Sequence, residues 1–206
     1  MFFMDDWKTY IEQQIIPQYH CFDVSHGIEH VRAVIQESLS LAEICQADKR
    51  LAYTIAAYHD IGMKKGRDLH HQYSAEYMLN DGHLKKWFVE DDIILMSEAV
   101  FDHRASAQHP PRSIYGKIVA DADRDLDTDV VIRRSIQYSR SCYPEADKQF
   151  IYNLVKQHLS EKYAEGGYLK LCLNVGKAPR QLQYLRQVIA DEERLKGYFE
   201  QNFDKW

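Results

Sequence analysis

Helical spacing of apolar residues runs through almost the whole chain, and it limits the fold more than any other feature of the sequence. In residues 6–16, Trp7, Ile11 and Ile15 recur on one helical face, and a similar stripe continues from Val31 to Ile44. Further helices are predicted at 71–80, 90–102, 113–124, 128–140, 146–163 and 180–199. No alternating run of β-branched residues competes with this pattern. The predicted fold class is therefore all-α, a helical bundle.

The segments between the predicted helices are short and contain proline or glycine, as at Pro17, Pro144 and residues 176–179. A chain of 206 residues with 45% hydrophobic content is long enough for one substantial core. We therefore predict a single domain over residues 1–206. In that prediction the functional motifs lie within about residues 20–130, and the helices of 131–206 complete the bundle.

Composition excludes several classes of partner. The net charge of −5 argues against the broad basic surface that binds extended nucleic acid. The chain has no apolar run of roughly 18 residues, so no membrane span is predicted, and the acidic start "MFFMDDWKTY" does not resemble a secretion signal. A cytoplasmic protein is expected. The four cysteines form no CxxC pair and are predicted to be buried thiols.

The adjacent residues His59 and Asp60, in "AAYHDIG", follow an apolar helical run. Neighbouring helical residues are rotated by about 100 degrees, so both side chains can face one ion only near a helix end. Gly62 offers such an end. An aspartate among apolar residues is costly unless it is paired or coordinates a metal, although a carboxylate at a helix end can also simply reach solvent. The pair therefore predicts a metal site.

Two other segments offer partners for this pair. His26 and His30 are four residues apart and would share one helical face, although either one alone is more often a buried histidine bonded to a carbonyl. Asp123 ends the apolar run in "KIVADADRD", with Asp121 as the alternative. The set of two imidazoles and two carboxylates suits a divalent transition metal.

The acidic segment "DADRDLDTD" has a second interpretation, which the sequence rejects. A calcium-binding EF-hand loop would need glycine where Leu126 stands and a bidentate glutamate where Ile132 stands. The remaining aspartates, Asp125, Asp127 and Asp129, are expected to be solvated or to cap the next helix.

The order His30, His59-Asp60, Asp123 resembles the H…HD…D pattern of the HD-domain superfamily of metal-dependent phosphohydrolases. The strings "SHGIEHVRAV", "HDIG", "FDHRAS" and "DADRD" carry this resemblance over about residues 20–130. It implies that His30, His59, Asp60 and Asp123 bind one divalent metal ion, of manganese, cobalt, nickel, iron or magnesium. His26 is predicted to transfer a proton or to support a ligand, because its expected helical position is one turn before His30. Asp60 is also predicted to be catalytic.

Certain members of that superfamily bind a second metal through additional histidines. Of the histidines between Asp60 and Asp123, His71 and His103 are the best placed by motif. The alternative is that they orient the substrate or a proton, and His103 is also predicted to be catalytic.

Positive charge follows the His-Asp pair directly. Lys64, Lys65 and Arg67 lie in "MKKGRDLHH", and Arg104 follows His103. We predict that they bind a substrate phosphate, although a single such residue is more often a solvated surface residue.

The resemblance implies hydrolysis of a phosphoester or phosphoanhydride bond in a small phosphorylated substrate, with a nucleotide expected. Two alternatives stay open. One is a module that senses a nucleotide without turnover, and the other is a di-iron oxidative enzyme on the same fold.

Overall fold

The computed structural model describes residues 6–22, 26–104 and 109–205. The chain divides into two compact units, Met1–Asp123 and Arg124–Trp206. Both units contain helices and turns and, within the described residues, no strand. The predicted all-α class is therefore confirmed, while the single-domain organisation stays a prediction.

The first unit contains the residues predicted to be functional. Its described residues form the α-helices α1 (Trp7–Tyr10), α2 (Ile28–Ile44), α3 (Lys49–Tyr58), α4 (His70–Asn80), α5 (Glu90–Asp102) and α6 (Ile114–Ala122). A π-helix (Ile11–Ile15) and a 3-10 helix (Ile16–Cys21) follow α1, and further 3-10 helices cover Ile61–Lys65 and Leu84–Lys86.

Helix α3 is the central helix of the first unit. It begins where the Asp48 carboxylate accepts a 2.7 Å hydrogen bond from the Arg50 amide, and every residue from 51 to 58 is buried. Its small residues Ala52, Ala56 and Ala57 allow close packing against α2, α5 and α6. The helix that ends at the His-Asp pair is thus enclosed by the helices that carry the other candidate ligands.

The second unit is a helical bundle with its own core. Its helices are α7 (Thr128–Cys142), α8 (Lys148–Tyr163), α9 (Ala178–Ala190) and α10 (Glu192–Phe203). The prediction of one helix over 180–199 is wrong, because Asp191 ends α9 and accepts hydrogen bonds from the Glu193 and Arg194 amides at the start of α10. Asp127 caps α7 in the same way, as expected.

Two further predictions need correction. His26 lies before α2, whose N-cap is Gly27, so His26 and His30 do not share a helical face. The cysteines are not buried thiols: Cys21 and Cys142 are exposed, and Cys45 and Cys172 are partly exposed. Across the described part of the chain, the helices are too short or too polar to cross a bilayer.

Candidate metal centre

Four side chains of the first unit converge on one point. The ligand atoms of His30, His59, Asp60 and Asp123 all lie within 4.8 Å of one another. His30 Nε2 is 3.1 Å from Asp123 Oδ1 and 3.6 Å from Asp60 Oδ2. His59 Nε2 is 3.3 Å from Asp60 Oδ2 and 3.6 Å from Asp123 Oδ1. We call these residues the first group.

The spacing of these atoms suits a common ion. Ligand atoms about 2.1 Å from one ion lie roughly 3.0 Å apart in octahedral geometry and roughly 3.4 Å apart in tetrahedral geometry. The four His–Asp distances within the first group, 3.1 to 3.6 Å, lie within about 0.2 Å of these values. Imidazole nitrogens and carboxylate oxygens are the usual ligands of divalent first-row ions. The residues present therefore fit a divalent metal.

A second set of donors shares Asp60 with the first. Asp60 Oδ1 lies 3.3 Å from His70 Nε2 and 3.5 Å from His103 Nε2, and these two nitrogens are 3.1 Å apart. Asp60, His70 and His103, the second group, can also hold a metal ion. Because Oδ2 faces the first group and Oδ1 the second, the Asp60 carboxylate can bridge two ions.

The second group contains His70 where the sequence predicted His71. Adjacent residues of a helix point in different directions, and α4 turns His70 toward Asp60. His71 instead places its ring 5.2 Å from that of Phe101. Burial, followed by the nearby His70 and Arg104, lowers the pKa of His71 to about 4. His71 is therefore neutral at neutral pH. It lies beside the second group but contributes no ligand atom to that group.

Helix ends supply the donors of both groups. His59, His103 and Asp123 are the C-caps of α3, α5 and α6. His70 is the first residue of α4, and His30 is the third residue of α2. The chain leaves α-helical geometry at Asp60, where φ is −112° and ψ is 6°. The adjacent side chains of His59 and Asp60 can therefore face the same point.

Backbone carbonyls fix the orientation of three imidazoles. His59 Nδ1 lies 2.7 Å from the Ala56 carbonyl oxygen, and His103 Nδ1 makes the same contact with the carbonyl of Val100, also three residues earlier. His70 Nδ1 contacts the Arg67 carbonyl at 2.6 Å. Because a carbonyl only accepts, each Nδ1 donates its proton, and each neutral ring then presents the lone pair of Nε2 to the centre.

The facing nitrogens of the second group favour a positive charge between them. His70 Nε2 and His103 Nε2 are 3.1 Å apart, and because both Nδ1 atoms donate to carbonyls, both Nε2 lone pairs are directed inward when the rings are neutral. In the first group His30 Nε2 and His59 Nε2 approach to 3.2 Å. A proton or a metal ion relieves this repulsion, and the adjacent carboxylates favour either cation.

The pKa shifts of His30, His59 and Asp60 also favour positive charge at the centre. Burial alone would lower the pKa of His59, but the charge of Asp60 and the hydrogen bonds to Asp123 and Asp60 raise it well above its usual value. The pKa of His30 is also raised, because both carboxylates outweigh its burial. Burial would raise the pKa of Asp60, but His59 and the surrounding imidazoles hold it well below its usual range.

Two supporting contacts hold the His-Asp segment in place. Tyr19, fully buried, donates its hydroxyl hydrogen to the Ala57 carbonyl at 2.9 Å and accepts from the Asp60 amide at 3.2 Å. Gly62 packs so closely on α4 that a Cβ there would lie 2.2 Å from the His70 carbonyl oxygen. The glycine predicted as a helix stop thus also allows His70 to approach Asp60.

The end of α5 is held by an ion pair between the buried Asp102 and the exposed Arg112, which the sequence did not predict. Asp102 is 2% exposed and accepts hydrogen bonds from the Arg112 side chain at 2.9 to 3.2 Å and from its backbone amide at 2.8 Å. Asp102 immediately precedes His103, so this pair fixes the backbone from which His103 extends. The signal in the sequence was an aspartate beside a candidate ligand, with an arginine ten residues later.

The other predicted residues lie at different places. His26 is partly buried, with its ring centre 5.9 Å from that of His30. Asp121 is buried but belongs to neither donor group among the described residues. Arg104 Nη1 donates to the Asp68 carbonyl oxygen, and Arg67 is exposed.

Lys64 and Lys65, which were predicted to bind a substrate phosphate, line a cavity whose walls include none of the donor residues of either group. Their contact with a substrate phosphate at the metal stays a prediction.

Comparison with known proteins places this geometry in context. The family model described as the HD domain matches residues 27–126, the segment that contains all the donors of both groups. A solved structure of a predicted HD superfamily hydrolase from an uncultured Thermotogales bacterium is 24% identical, with a TM-score of 0.51. The match covers 73% of this chain and 83% of that chain, and it shows a shared fold. No curated protein matches the sequence.

Proposed function

Because residues 27–126 match the family model of the HD domain, we propose that this chain is a metal-dependent phosphohydrolase of the HD type. Its substrate is a small phosphorylated molecule, a nucleotide in our proposal, and the bond cleaved is a phosphoester or phosphoanhydride. The observation that carries the proposal is the convergence of His30, His59, Asp60 and Asp123, whose ligand atoms lie within 4.8 Å of one another. Such a convergence of two carboxylates and two imidazoles is difficult to explain in a helical protein without a bound cation.

The chemistry follows from the donors that the chain provides. A bound divalent ion lowers the pKa of a water and polarises a phosphoryl oxygen, so that it supplies both nucleophile and electrophile. His30, His59 and Asp123 would hold it, and Asp60 would hold it while also facing the second group. Asp60 stays ionised because the surrounding imidazoles lower its pKa.

Residues around the two groups would handle protons and phosphate. His26 borders His30 and is proposed to transfer a proton to or from the reacting groups. His103 would act on the opposite side of Asp60, either as a ligand of a second ion or by orienting a proton. Arg104 and Arg67 each lie within three residues of a second-group histidine, so they are the cations proposed to bind the substrate phosphate.

The experiment is a release assay for phosphate and pyrophosphate on a panel of nucleotides. The protein is first stripped of metal with a chelator and then supplied with manganese, cobalt, nickel, iron(II) or magnesium. We expect no release without metal and release with at least one ion. Asp123→Asn should abolish the release and Asp121→Asn, its matched control, should retain most of it. Release that survives chelation, or a reversed result for the two aspartates, would contradict the proposal.

One observation favours a second candidate function, a di-iron oxidative enzyme. The second group, with Asp60 shared between two donor sets, provides places for two ions. If the protein were such an enzyme, the iron-loaded protein would be coloured and would consume oxygen with an organic substrate. A colourless, manganese-activated protein that releases phosphate would favour the hydrolase.

A further inference from the structure

We propose that a cavity next to the His59-Asp60 segment binds a small phosphate ester that carries an aromatic ring, and that this ligand regulates the metal centre. The cavity has a volume of about 830 Å³, and its walls include Lys64, Lys65, Lys86, Tyr10, Tyr73 and Tyr77. Ligand pockets commonly measure roughly 300–1,000 Å³. None of the donor residues of the two groups lines it, so it is separate from the centre. We call it the lysine cavity.

The charge of the lysine cavity favours an anion. Two carboxylates, Glu76 and Asp81, also line it. The Asp81 carboxylate already accepts hydrogen bonds from the hydroxyls of Tyr10 and Tyr58, at 2.7 and 2.6 Å, and from the His83 amide at 3.0 Å. These three hydrogen bonds stabilise the negative charge of Asp81 in the cavity wall. Three lysines, Lys64, Lys65 and Lys86, outnumber the two carboxylates of the lining.

The lysines have neutral partners in the structure. Lys64 Nζ donates to the side-chain oxygen of Gln18. The ammonium of Lys65 lies 4.8 Å from the centre of the Tyr73 ring, and that of Lys86 lies 5.9 Å from the Trp87 ring. A neutral partner leaves the charge of an ammonium uncompensated, and lysine binds phosphate as a point charge. The cluster therefore suits a phosphate group better than a neutral ligand.

Aromatic surfaces beside the lysines suit a flat ring. Tyr77 is 41% exposed and Tyr73 is partly exposed, and both line the cavity from α4. Tyr10 lines it from α1, with its own ring stacked 5.0 Å from that of His83. Stacking of a base on an aromatic side chain contributes roughly 1–3 kcal/mol. A phosphate ester that also carries an aromatic ring, as a nucleoside monophosphate does, combines both requirements.

One wall of the cavity is formed by the backbone that follows Asp60 and helps to position it. Ile61 and Gly62 line the cavity directly after Asp60. The Gly62 amide donates to Ser74 Oγ at 2.9 Å, and Gly62 also contacts the His70 carbonyl region of α4. A ligand against this wall touches the segment that spaces Asp60 from His70. Its binding should therefore be coupled to metal binding, and coupling of this kind is reciprocal.

The test is calorimetric titration of the full-length protein with AMP, GMP, CMP and UMP. The His59→Ala protein is used so that binding is measured without turnover at the first group. We expect at least one nucleotide to bind, and Lys86→Ala to weaken it about tenfold, a loss of roughly 1.4 kcal/mol. Lys85→Ala is the matched control, because Lys85 lies on the same 3-10 helix but outside the cavity wall. It should leave the affinity unchanged.

The aromatic part and the coupling have their own readouts. Tyr77→Leu should weaken nucleotide binding while leaving the weaker binding of inorganic phosphate unchanged. With His59 intact, the same nucleotide should shift the affinity for Mn²⁺, and the shift should disappear in Lys86→Ala. The proposal is overturned if no nucleotide binds, if Lys85→Ala and Lys86→Ala behave alike, or if the affinity for Mn²⁺ is unaffected. These outcomes are separate from phosphate release, so failure of the hydrolase proposal would leave them interpretable.

Discussion

The two donor groups share Asp60 but are built differently. The first group has two carboxylates and two imidazoles, and His59 at its centre has no exposed surface. The second has two imidazoles and only the shared carboxylate. Its His70 sits at the start of α4, where burial, followed by the nearby His103, lowers its pKa. In the first group the pKa values of both histidines are raised instead.

This difference predicts unequal affinity for metal ions. Charge on the ligands contributes strongly to the binding of a divalent ion, and the first group has the carboxylate of Asp123 to itself. The second group also depends on two supporting contacts, the close approach at Gly62 and the ion pair of Asp102 with Arg112. We therefore expect the first group to fill at lower metal concentration, and the second group to be more sensitive to distant substitutions.

The largest effect is expected from Asp60→Asn, because Asp60 is the residue that the groups share. Loss of its charge should empty both groups and reduce phosphate release by at least about 10³-fold, equivalent to roughly 4 kcal/mol of transition-state stabilisation. Elemental analysis and the release assay measure the two effects. Asp123→Asn should remove only the ion of the first group. If Asp60→Asn retained the metal content of the wild type, the bridging role of Asp60 would be wrong.

His70→Ala tests the second group alone. We expect metal content to fall from about two ions per chain to about one, and activity to fall roughly 10- to 100-fold. His71→Ala is the matched control, since His71 is the adjacent imidazole but has no ligand atom in either group. A larger loss of metal and activity in His71→Ala than in His70→Ala would instead support His71 as the ligand, as the sequence predicted.

Gly62→Ala tests the support of the second group. The added Cβ would lie 2.2 Å from the His70 carbonyl oxygen and 2.6 Å from the Ser74 amide nitrogen, so α4 must move. We expect a loss of roughly 2 kcal/mol in the free energy of unfolding and weaker binding of the second ion. Gly82→Ala, where a Cβ meets nothing within 4 Å, is the control. Chemical denaturation of both variants, followed by metal titration, separates the two effects; equal stability would refute the steric argument.

The pH dependence of metal binding tests the first group with no substitution. The pKa values of His30 and His59 are raised above 6.5, so metal must displace protons at neutral pH. Apparent affinity for Mn²⁺ should increase by up to about tenfold per pH unit for each proton displaced, from pH 6.5 up to the raised pKa values. Competition with a fluorescent chelator at several pH values measures this.

The same shifts govern the stability of the metal-free protein. A raised folded-state pKa contributes stability below pH 6.5, and this contribution is lost as pH rises through the raised value. Thermal unfolding of the stripped protein should therefore occur at lower temperature as the pH rises above neutrality. An affinity for Mn²⁺ that is independent of pH would contradict the proton competition.

The sequence predicted the helical fold well but placed the histidines less accurately. Apolar periodicity predicted α5 at its observed bounds, because those residues alternate between core and solvent with a clear period. The break at Asp191 was missed because apolar spacing continues across it, although an aspartate followed by two glutamates is a typical helix start. His26 was placed in α2 because the pattern does not show where the first turn begins.

The first donor group was predicted by motif, and the second only in part. His30, His59, Asp60 and Asp123 follow a recognisable order along the chain. The choice between His70 and His71 depends on the rotation of α4 about its axis, which Gly62 and Ser74 set through a contact that no local pattern encodes. The directions of Lys64 and Lys65 depend on tertiary packing in the same way.

The most direct test of the central claim is titration of the metal-stripped protein with Mn²⁺, with free ion and phosphate release followed in the same sample. The account predicts stoichiometric binding, with a tighter ion in the first group and a weaker one in the second, and release that rises only as the ions bind. Absence of stoichiometric binding, or release that is independent of Mn²⁺ and of every other ion tested, would contradict it.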